Sequence, residues 1–365
     1  MIVDLGALVS NARAWRAFTG GRRLYAVVKA DAYGIGAERA VRALEEHVDG
    51  WCVTSLEEAR AVRARSRRRI ICIATLPCAH LPQAVALGVE VSVTTPSEVA
   101  ALTRIAGARG KRVRAQLAVR SAAGWIGVAP ERVGELARTL AENGGIEIVE
   151  AWTHLSGERE APGQLAAFRA VLGAIESAGL LLQGYHIAST APALWLDDVP
   201  GGAVRIGIGL FGSTMGVETK SVPALQQVLE VGAVIDRADE VEPGVSVGYG
   251  AAYVTKPGDH LVTARFGYSD GMPRSFVASG PTVTVETREL VVVAMGMQFL
   301  TCVGDARVGE RIEVLGPCHP LDRIAQSAGV LPHELVLSLA RGSRIAGTLV
   351  DSASRDGYTT CGDSR

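Results

Sequence analysis

Three basic or titratable side chains follow or interrupt apolar runs that have the composition of buried strands. Lys29 closes the run LYAVV, His154 follows IVEAWT, and Arg205 lies inside AVRIGIG. A lysine amine that is partly shielded from water can act as a nucleophile or a base. For Lys29 alone, a snorkelling surface side chain would be the simpler explanation. The turn that follows it favours chemistry instead.

That turn, KADAYGIG, surrounds Tyr33 with alanines and glycines, which let a bulky ligand approach the backbone. The tyrosine hydroxyl can hold a phosphate oxygen. Further hydroxyl and backbone amide donors follow later in the chain at Ser189, Thr190, Gly207 and Ile208. Each of these motifs alone is typical of a plain turn. Together with Lys29 they predict a site for a phosphorylated carbonyl compound.

Two glycine-flanked tyrosines form a third feature, in the last third of the chain. Tyr249 lies in VSVGYGAAYV, and Tyr268 lies in RFGYSDGMPR. A tyrosine in such a hairpin is more often part of a core or an edge strand than a catalyst. Two similar motifs in quick succession favour a role at a functional site.

The elements that would position these residues alternate regularly over the first two-thirds of the chain. Eight short runs rich in Val and Ile, beginning with Leu24–Val28 and ending with Ala203–Ile208, alternate with segments of helical periodicity. Eight strands with crossover segments favour a closed (β/α)₈ TIM-type barrel. An open doubly wound sheet is the alternative, and the lack of GxGxxG after the first strand weakens it. In such a barrel the working residues lie at the carboxyl ends of the strands.

After about Val222 the pattern changes to valine-rich runs separated by turns such as Glu242-Pro243-Gly244. This change predicts a mostly β second domain. The predicted division is a barrel over residues 1–222, a β domain over 223–350 and a frayed tail over 351–365.

Composition excludes several classes of protein. The chain has 365 residues, 21% of them charged, and a net charge of −1, so nothing indicates a nucleic-acid or membrane-surface partner. No apolar stretch approaches the ~18 residues of a transmembrane helix, and the start lacks a secretory pattern. Six scattered cysteines without a CxxC pair argue against a disulfide scaffold or a zinc site. We expect a cytoplasmic protein with no metal site.

Taken together, the motifs resemble the alanine racemase family, the fold-type III enzymes that use pyridoxal 5'-phosphate. AVVKADAYGIGA is close to the lysine signature of that family, and WTHLSG, HIAST, VRIGIGLFG, VGYGAAY and FGYSDGMPR follow in the expected order. The resemblance runs from about Met1 to Ile345. It implies a barrel followed by a β domain, a head-to-tail homodimer and an amino acid substrate.

By this resemblance, Lys29 would form the imine to the cofactor and act as one acid/base, and Tyr249 from the partner subunit would be the other. His154 would tune Tyr249, and Arg205 would face the pyridine nitrogen. The phosphate would be held by Tyr33, Ser189, Thr190, Gly207 and Ile208, and the substrate side would be lined by Trp125, Tyr268, Gly296 and Met297.

The positions that read the substrate carboxylate depart from the family pattern. Ala118 replaces a lysine, Trp125 replaces an arginine, and Gly296-Met297 replaces a Met-Asp pair. Arg120 offers a substitute cation. Three hypotheses stay open: a racemase for an amino acid that need not be alanine, a related enzyme that decarboxylates, eliminates or performs a specialised biosynthetic step, and a non-catalytic cofactor-binding protein.

Overall fold

The computed structural model describes residues 1–121, 126–196, 198, 200–219 and 221–342. Two elements precede the barrel: strand β1 (Ile2–Val3) and helix α1 (Leu5–Phe18). The Asp4 side chain caps α1 by accepting the Ala7 N–H at 2.8 Å. Trp15 and the rest of the buried face of α1 pack against the barrel.

Eight parallel strands close a barrel, which confirms the predicted (β/α)₈ fold. The strands in chain order are β2 (Arg23–Val27), β3 (Gly50–Val53), β4 (Arg69–Cys72), β5 (Val89–Val93), β6 (Val113–Ala118), β7 (Ile146–Trp152), β8 (Gly184–His186) and β9 (Ala203–Ile206). Strands β3 and β5 are buried along their whole length, as expected for parallel strands covered on both faces.

One α-helix follows each barrel strand except the last, and β2 is followed by two. They are α2 (Lys29–Tyr33), α3 (Ala37–Leu44), α4 (Leu56–Arg63), α5 (Leu81–Ala86), α6 (Pro96–Arg109), α7 (Val133–Ala141), α8 (Ala161–Ser177) and α9 (Thr190–Trp195). Local sequence sets their ends. Helix α6 begins with a capping box between Thr95 and Glu98 and ends at Gly110, which has a φ of +59°.

The second domain is mostly β, as predicted, and its strands pair antiparallel. Its elements are β10 (Leu229–Glu240), β11 (Ser246–Val247), β12 (Tyr253–Val254), β13 (His260–Ala264), β14 (Thr282–Val285), β15 (Arg288–Met295), β16 (Leu300–Val303), β17 (Arg311–Leu315), α10 (Leu321–Ala328) and α11 (Pro332–Gly342). Strand β17 pairs back onto β10, so the sheet closes on itself.

The chain start belongs to both halves of the molecule. Strand β1 pairs with β10, with Ile2 opposite Glu230, and therefore adds a strand to the sheet of the second domain. Helix α1, which follows it, packs against the barrel. Residues 351–365, predicted as a frayed tail, lie outside the described residues. Within the part that is described, no helix combines the length and the apolar character needed to cross a membrane.

Candidate active site

Lys29 directly follows β2, and the four residues after it adopt a left-handed turn. Ala30, Asp31, Ala32 and Tyr33 have φ values of 53°, 58°, 51° and 57°. Left-handed backbone costs a non-glycine residue roughly 1–2 kcal/mol. Two carboxylates hold the turn: Ala30 N–H donates to Glu58 at 2.7 Å, and Ala37 N–H donates to Asp31 at 2.6 Å. The strained turn therefore fixes the direction in which the chain leaves Lys29.

The turn brings Tyr33 against Gly207, which follows β9. A Cβ atom on Gly207 would lie 2.1 Å from the Tyr33 hydroxyl, so only glycine fits there. Burial raises the pKa of Tyr33, so the hydroxyl stays protonated and can donate. Gly209 N–H donates to Thr190 Oγ1 at 3.2 Å, which joins the turns after β8 and β9. The predicted phosphate residues thus meet at one edge of the barrel; Ser189 caps α9 there, and Ile208 is buried beside Gly207.

Arg205 is buried in β9 and has no acidic partner among its described hydrogen bonds. Its Nη1 donates to Nδ1 of His186 at 2.6 Å and to the His186 carbonyl at 2.8 Å. Its Nη2 donates to the carbonyls of Thr153 at 2.8 Å and Ile187 at 3.3 Å. A guanidinium has five N–H donors, so these bonds leave the Nε–H for a ligand. Burial lowers the pKa of Arg205 to about 10, which keeps it charged at neutral pH.

His154 follows β7 at the same end of the barrel. Burial, followed by the positive charges of Arg205 and Lys29, lowers its pKa to about 4. The imidazole is therefore neutral at neutral pH and can accept as well as donate a hydrogen bond. Because the charges of Arg205 and Lys29 both affect the pKa of His154, the three side chains lie close enough to interact, as residues of one site must.

His333, on α11, joins this cluster from the second domain, and no sequence motif indicated it. Its ring lies 5.9 Å from the Tyr33 ring, centroid to centroid. Burial, followed by the charge of Lys29, lowers the pKa of His333 to about 4. Its Nδ1 atom is buried, and it has no hydrogen-bond partner within the described part of the chain. Since a buried polar atom is normally paired, this nitrogen indicates that a ligand completes the site.

His186 was missed as well, although it lies in the HIAST motif. It is buried at the end of β8 and binds Arg205 on one side and Gln116 on the other. A histidine inside a short apolar strand gives little indication of function, because its partners come from strands far away in sequence.

Three of the four predicted substrate residues, Tyr268, Gly296 and Met297, lie together in the second domain, beside the predicted base Tyr249. Tyr249 lies in the tight turn between β11 and β12 and is 73% exposed. A Cβ atom on Gly296 would lie 4.0 Å from the Tyr249 ring. Tyr268 N–H donates to the Gly296 carbonyl at 3.2 Å, and Met297 is half exposed beside them. Tyr268 also lines a cavity of about 470 Å³ against α11.

Of the changed positions, Ala118 lies at the end of β6. Ala118 is fully buried and carries no polar group. Arg120 is exposed, and its Nε donates to the Gly127 carbonyl at 3.4 Å, so it turns back onto its own loop. Trp125 lies outside the described residues. Among those that are described, no three His, Cys, Asp or Glu side chains gather as metal ligands.

The residues present fit a phosphorylated pyridine aldehyde. Tyr33 and the glycine turn after β9 offer donors and room for a phosphate, and the orphaned His333 Nδ1 lies beside them. Lys29 supplies an amine, and Arg205 supplies a donor that cannot take up a ring proton.

Comparison with known proteins agrees with this chemistry. The sequence model of the alanine racemase N-terminal domain matches residues 3–215, and that of the C-terminal domain matches residues 228–346. An alanine racemase from Streptomyces coelicolor is 31% identical over 94% of this chain and 93% of its own length. One from an Azoarcus species is 30% identical over 93% of this chain and 96% of its own. The crystal structure of alanine racemase from Streptomyces lavendulae superposes with a TM-score of 0.84 at 28% identity, covering 92% of this chain and 93% of that one. This chain belongs to the alanine racemase family.

Proposed function

We propose that this protein is a pyridoxal 5'-phosphate-dependent amino acid racemase in which Lys29 and Tyr249 are the two bases. One observation carries the proposal: Lys29, the Tyr33–Gly207 contact and the buried Arg205 lie together at the carboxyl-end face of the barrel. An amine, a phosphate cradle and an unpaired cation converge there, and membership of the family supports the same cofactor.

The residues that would hold the cofactor have distinct tasks. The Lys29 side-chain amine would anchor its aldehyde, and the hydroxyls and amides of Tyr33, Ser189, Thr190, Gly207 and Ile208 would hold its phosphate. When bound, pyridoxal phosphate supplies an electron sink that acidifies the α-C–H bond of an amino acid. The Nε–H of Arg205 would be the donor to the ring nitrogen, and because a guanidinium is a much weaker acid than a pyridinium, it would not protonate that nitrogen.

Racemisation needs a proton to leave one face of the α-carbon and another to arrive on the opposite face. Lys29 Nζ serves one face. Tyr249 of the partner subunit serves the other in our proposal, which the exposure of Tyr249 in the single chain supports. His154, neutral at pH 7, accepts a hydrogen bond from that phenol and assists its ionisation.

The substrate need not be alanine. Ala118 stands where the family pattern has a lysine, Gly296-Met297 stands where it has a Met-Asp pair, and Arg120 contacts its own loop. We propose an amino acid held by Met297, Tyr268 and backbone amides near Gly296, in a homodimeric protein. The cytoplasmic location expected from the sequence stays a prediction.

Incubation of the protein with pyridoxal phosphate and a panel of L-amino acids in deuterated water tests this function. We expect at least one amino acid to lose optical purity while gaining deuterium at its α-carbon. We expect Lys29→Ala to abolish both changes, and Tyr249→Phe to slow them by about 10²–10⁴-fold, the usual contribution of an acid/base group.

Lys111→Ala removes an exposed lysine far along the chain and is the matched control; it should leave the rate unchanged. Release of carbon dioxide or ammonia in place of α-deuteration would mean that the protein catalyses decarboxylation or elimination with this cofactor, not racemisation. Cofactor uptake with no α-exchange on any amino acid would leave only a binding protein.

A further inference from the structure

A chain of buried polar side chains runs from Arg205 across the interior of the barrel. We name it the barrel relay: Arg205, His186, Gln116 and Glu90. These residues come from strands β9, β8, β6 and β5, and all four are at most 3% exposed. Arg205 and His186 lie toward the carboxyl ends of their strands, whereas Glu90 is the second residue of β5. The relay therefore links the candidate active site to the opposite half of the barrel.

The distances along the relay are those of direct hydrogen bonds. Arg205 Nη1 lies 2.6 Å from His186 Nδ1, and His186 Nε2 lies 3.2 Å from Gln116 Oε1. Gln116 Nε2 donates to Glu90 Oε2 at 2.6 Å. No gap along this path requires a water molecule.

The two ends fix the direction of every bond. The Arg205 guanidinium can only donate, and a carboxylate such as Glu90 can only accept. Glu90 must therefore receive the Gln116 amide N–H, which leaves the Gln116 carbonyl to accept from His186. The imidazole then carries its proton on Nε2, and its bare Nδ1 accepts from Arg205. The opposite tautomer would set two N–H groups against each other at 2.6 Å.

The lower end of the relay is anchored by ion pairs. Arg69 binds Glu90 through two N–H groups, at 3.0 and 2.7 Å, and also binds Glu150 at 2.8 Å. Arg114 lies 3.0 Å from Glu90 as well. Burial, and next the charge of Arg205, holds the pKa of His186 well below its ordinary value, so the imidazole stays neutral. Because Arg205 can only donate and the Gln116 carbonyl can only accept, a single tautomer of the neutral imidazole satisfies both hydrogen bonds.

We propose that Gln116 and Glu90 are positioning residues that hold His186 as the Nε2–H tautomer, and that this tautomer keeps the Nε–H of Arg205 directed at the cofactor site. The role of Arg205 toward the cofactor rests on the proposed function. The tautomer of His186, and its control by Gln116 and Glu90, does not. With the opposite tautomer, Nη1 would keep the His186 carbonyl as an acceptor but lose Nδ1, and the guanidinium would have to move away from the Nδ1–H group.

Three variants separate this role from simple packing. Gln116→Leu keeps the approximate volume of the side chain and removes both hydrogen bonds. Gln116→Glu, which can share a proton with Glu90, keeps a carbonyl acceptor for His186. Tyr25→Phe is the matched control: Tyr25 packs against His186, and its hydroxyl accepts from Arg69 and donates to Glu150, but it makes no hydrogen bond to Gln116, His186 or Glu90.

Nitrogen-15 NMR of histidine-labelled protein reads the tautomer directly, with the His186 signals identified among the seven histidines by their loss in His186→Gln. We expect only the Nε2–H form in the unaltered protein, Gln116→Glu and Tyr25→Phe. In Gln116→Leu the ratio of the Nε2–H form to the Nδ1–H form should fall by about tenfold, which corresponds to the net free energy of one buried hydrogen bond. The absorption spectrum of added pyridoxal phosphate should change in Gln116→Leu alone.

An Nδ1–H form in the unaltered protein overturns the proposal, and so does a Gln116→Leu protein whose tautomer ratio is unchanged. The first of these outcomes can be read even where Gln116→Leu does not fold. If the unaltered protein takes up no pyridoxal phosphate, the proposed function fails while the tautomer measurement still decides the relay.

Discussion

At the scale of single residues, the candidate site depends on polar groups kept neutral or unpaired by burial. Arg205 is a cation without an acidic partner in its described hydrogen bonds, and His154 and His333 are imidazoles with a pKa of about 4. Burying a cation such as Arg205 without an acidic partner among the described residues costs stability unless something else binds it. Its presence at one end of a closed barrel is the residue-level reason to expect a ligand there.

The neutral histidines make stability depend on pH. The pKa of His333 is lower in the folded protein than in the unfolded chain, so the unfolded chain gains a proton first as the pH falls. Stability is therefore full above about pH 6.5 and declines between about pH 6.5 and 4. One such group contributes at most about 1.4 kcal/mol per pH unit, and less for His333 because its ring is partly exposed.

We predict that His333→Gln flattens this decline, as measured by urea unfolding at pH 7 and pH 4.5. His260→Gln, which alters an exposed histidine, is the control and should leave the decline as it is. An equal loss of stability on acidification in the unaltered protein and in His333→Gln would contradict the coupling of His333 to the buried site.

At the scale of elements, the left-handed turn Lys29–Tyr33 shapes the site more than any regular helix. The Glu58 carboxylate supports it by accepting the N–H groups of Ala30 and Thr54, both at 2.7 Å. If Glu58 were replaced by glutamine, the side chain would have one carbonyl oxygen in place of two carboxylate oxygens. One of the two backbone N–H groups would then lose its acceptor and face an amide N–H instead. Leaving one such donor unpaired costs about 1–3 kcal/mol.

We therefore predict that Glu58→Gln lowers the unfolding midpoint and weakens uptake of pyridoxal phosphate by about tenfold, the equivalent of ~1.4 kcal/mol. Glu57→Gln changes the exposed neighbouring carboxylate and should alter neither quantity. The measurements are thermal unfolding and a fluorescence titration of the apoprotein. If the two variants behave alike, Glu58 does not support the turn.

The regular elements were largely predictable because hydrophobic periodicity reports burial directly. The predicted runs Leu24–Val28 and Ala203–Ile208 correspond to β2 (Arg23–Val27) and β9 (Ala203–Ile206), with each end within two residues of its predicted position. The pairing of β1 with β10 was not predicted, because two residues carry no periodicity and their partner lies more than 200 positions away. The sequence did not indicate His333 or Gln116 for a related reason. The role of each depends on contacts with residues that are far away in the sequence.

At the scale of the whole molecule, the predicted site is divided between two places on one chain. Lys29, Tyr33 and Arg205 lie at the mouth of the barrel, whereas Tyr249 projects from the second domain and is 73% exposed. A symmetric dimer in which each Tyr249 enters the other barrel would bury it and complete two equivalent sites.

Mixed dimers test this division of labour. Lys29→Ala and Tyr249→Phe each inactivate the protein in our proposal, but a dimer with one copy of each keeps one site with both bases. Unfolding and refolding an equal mixture should give about half mixed dimers, and so about a quarter of the normal racemase activity, as expected for a twofold assembly with shared sites. Refolded single variants are the controls. If the mixture is no more active than these controls, Tyr249 serves the barrel of its own chain, and the exposed position of Tyr249 needs another explanation.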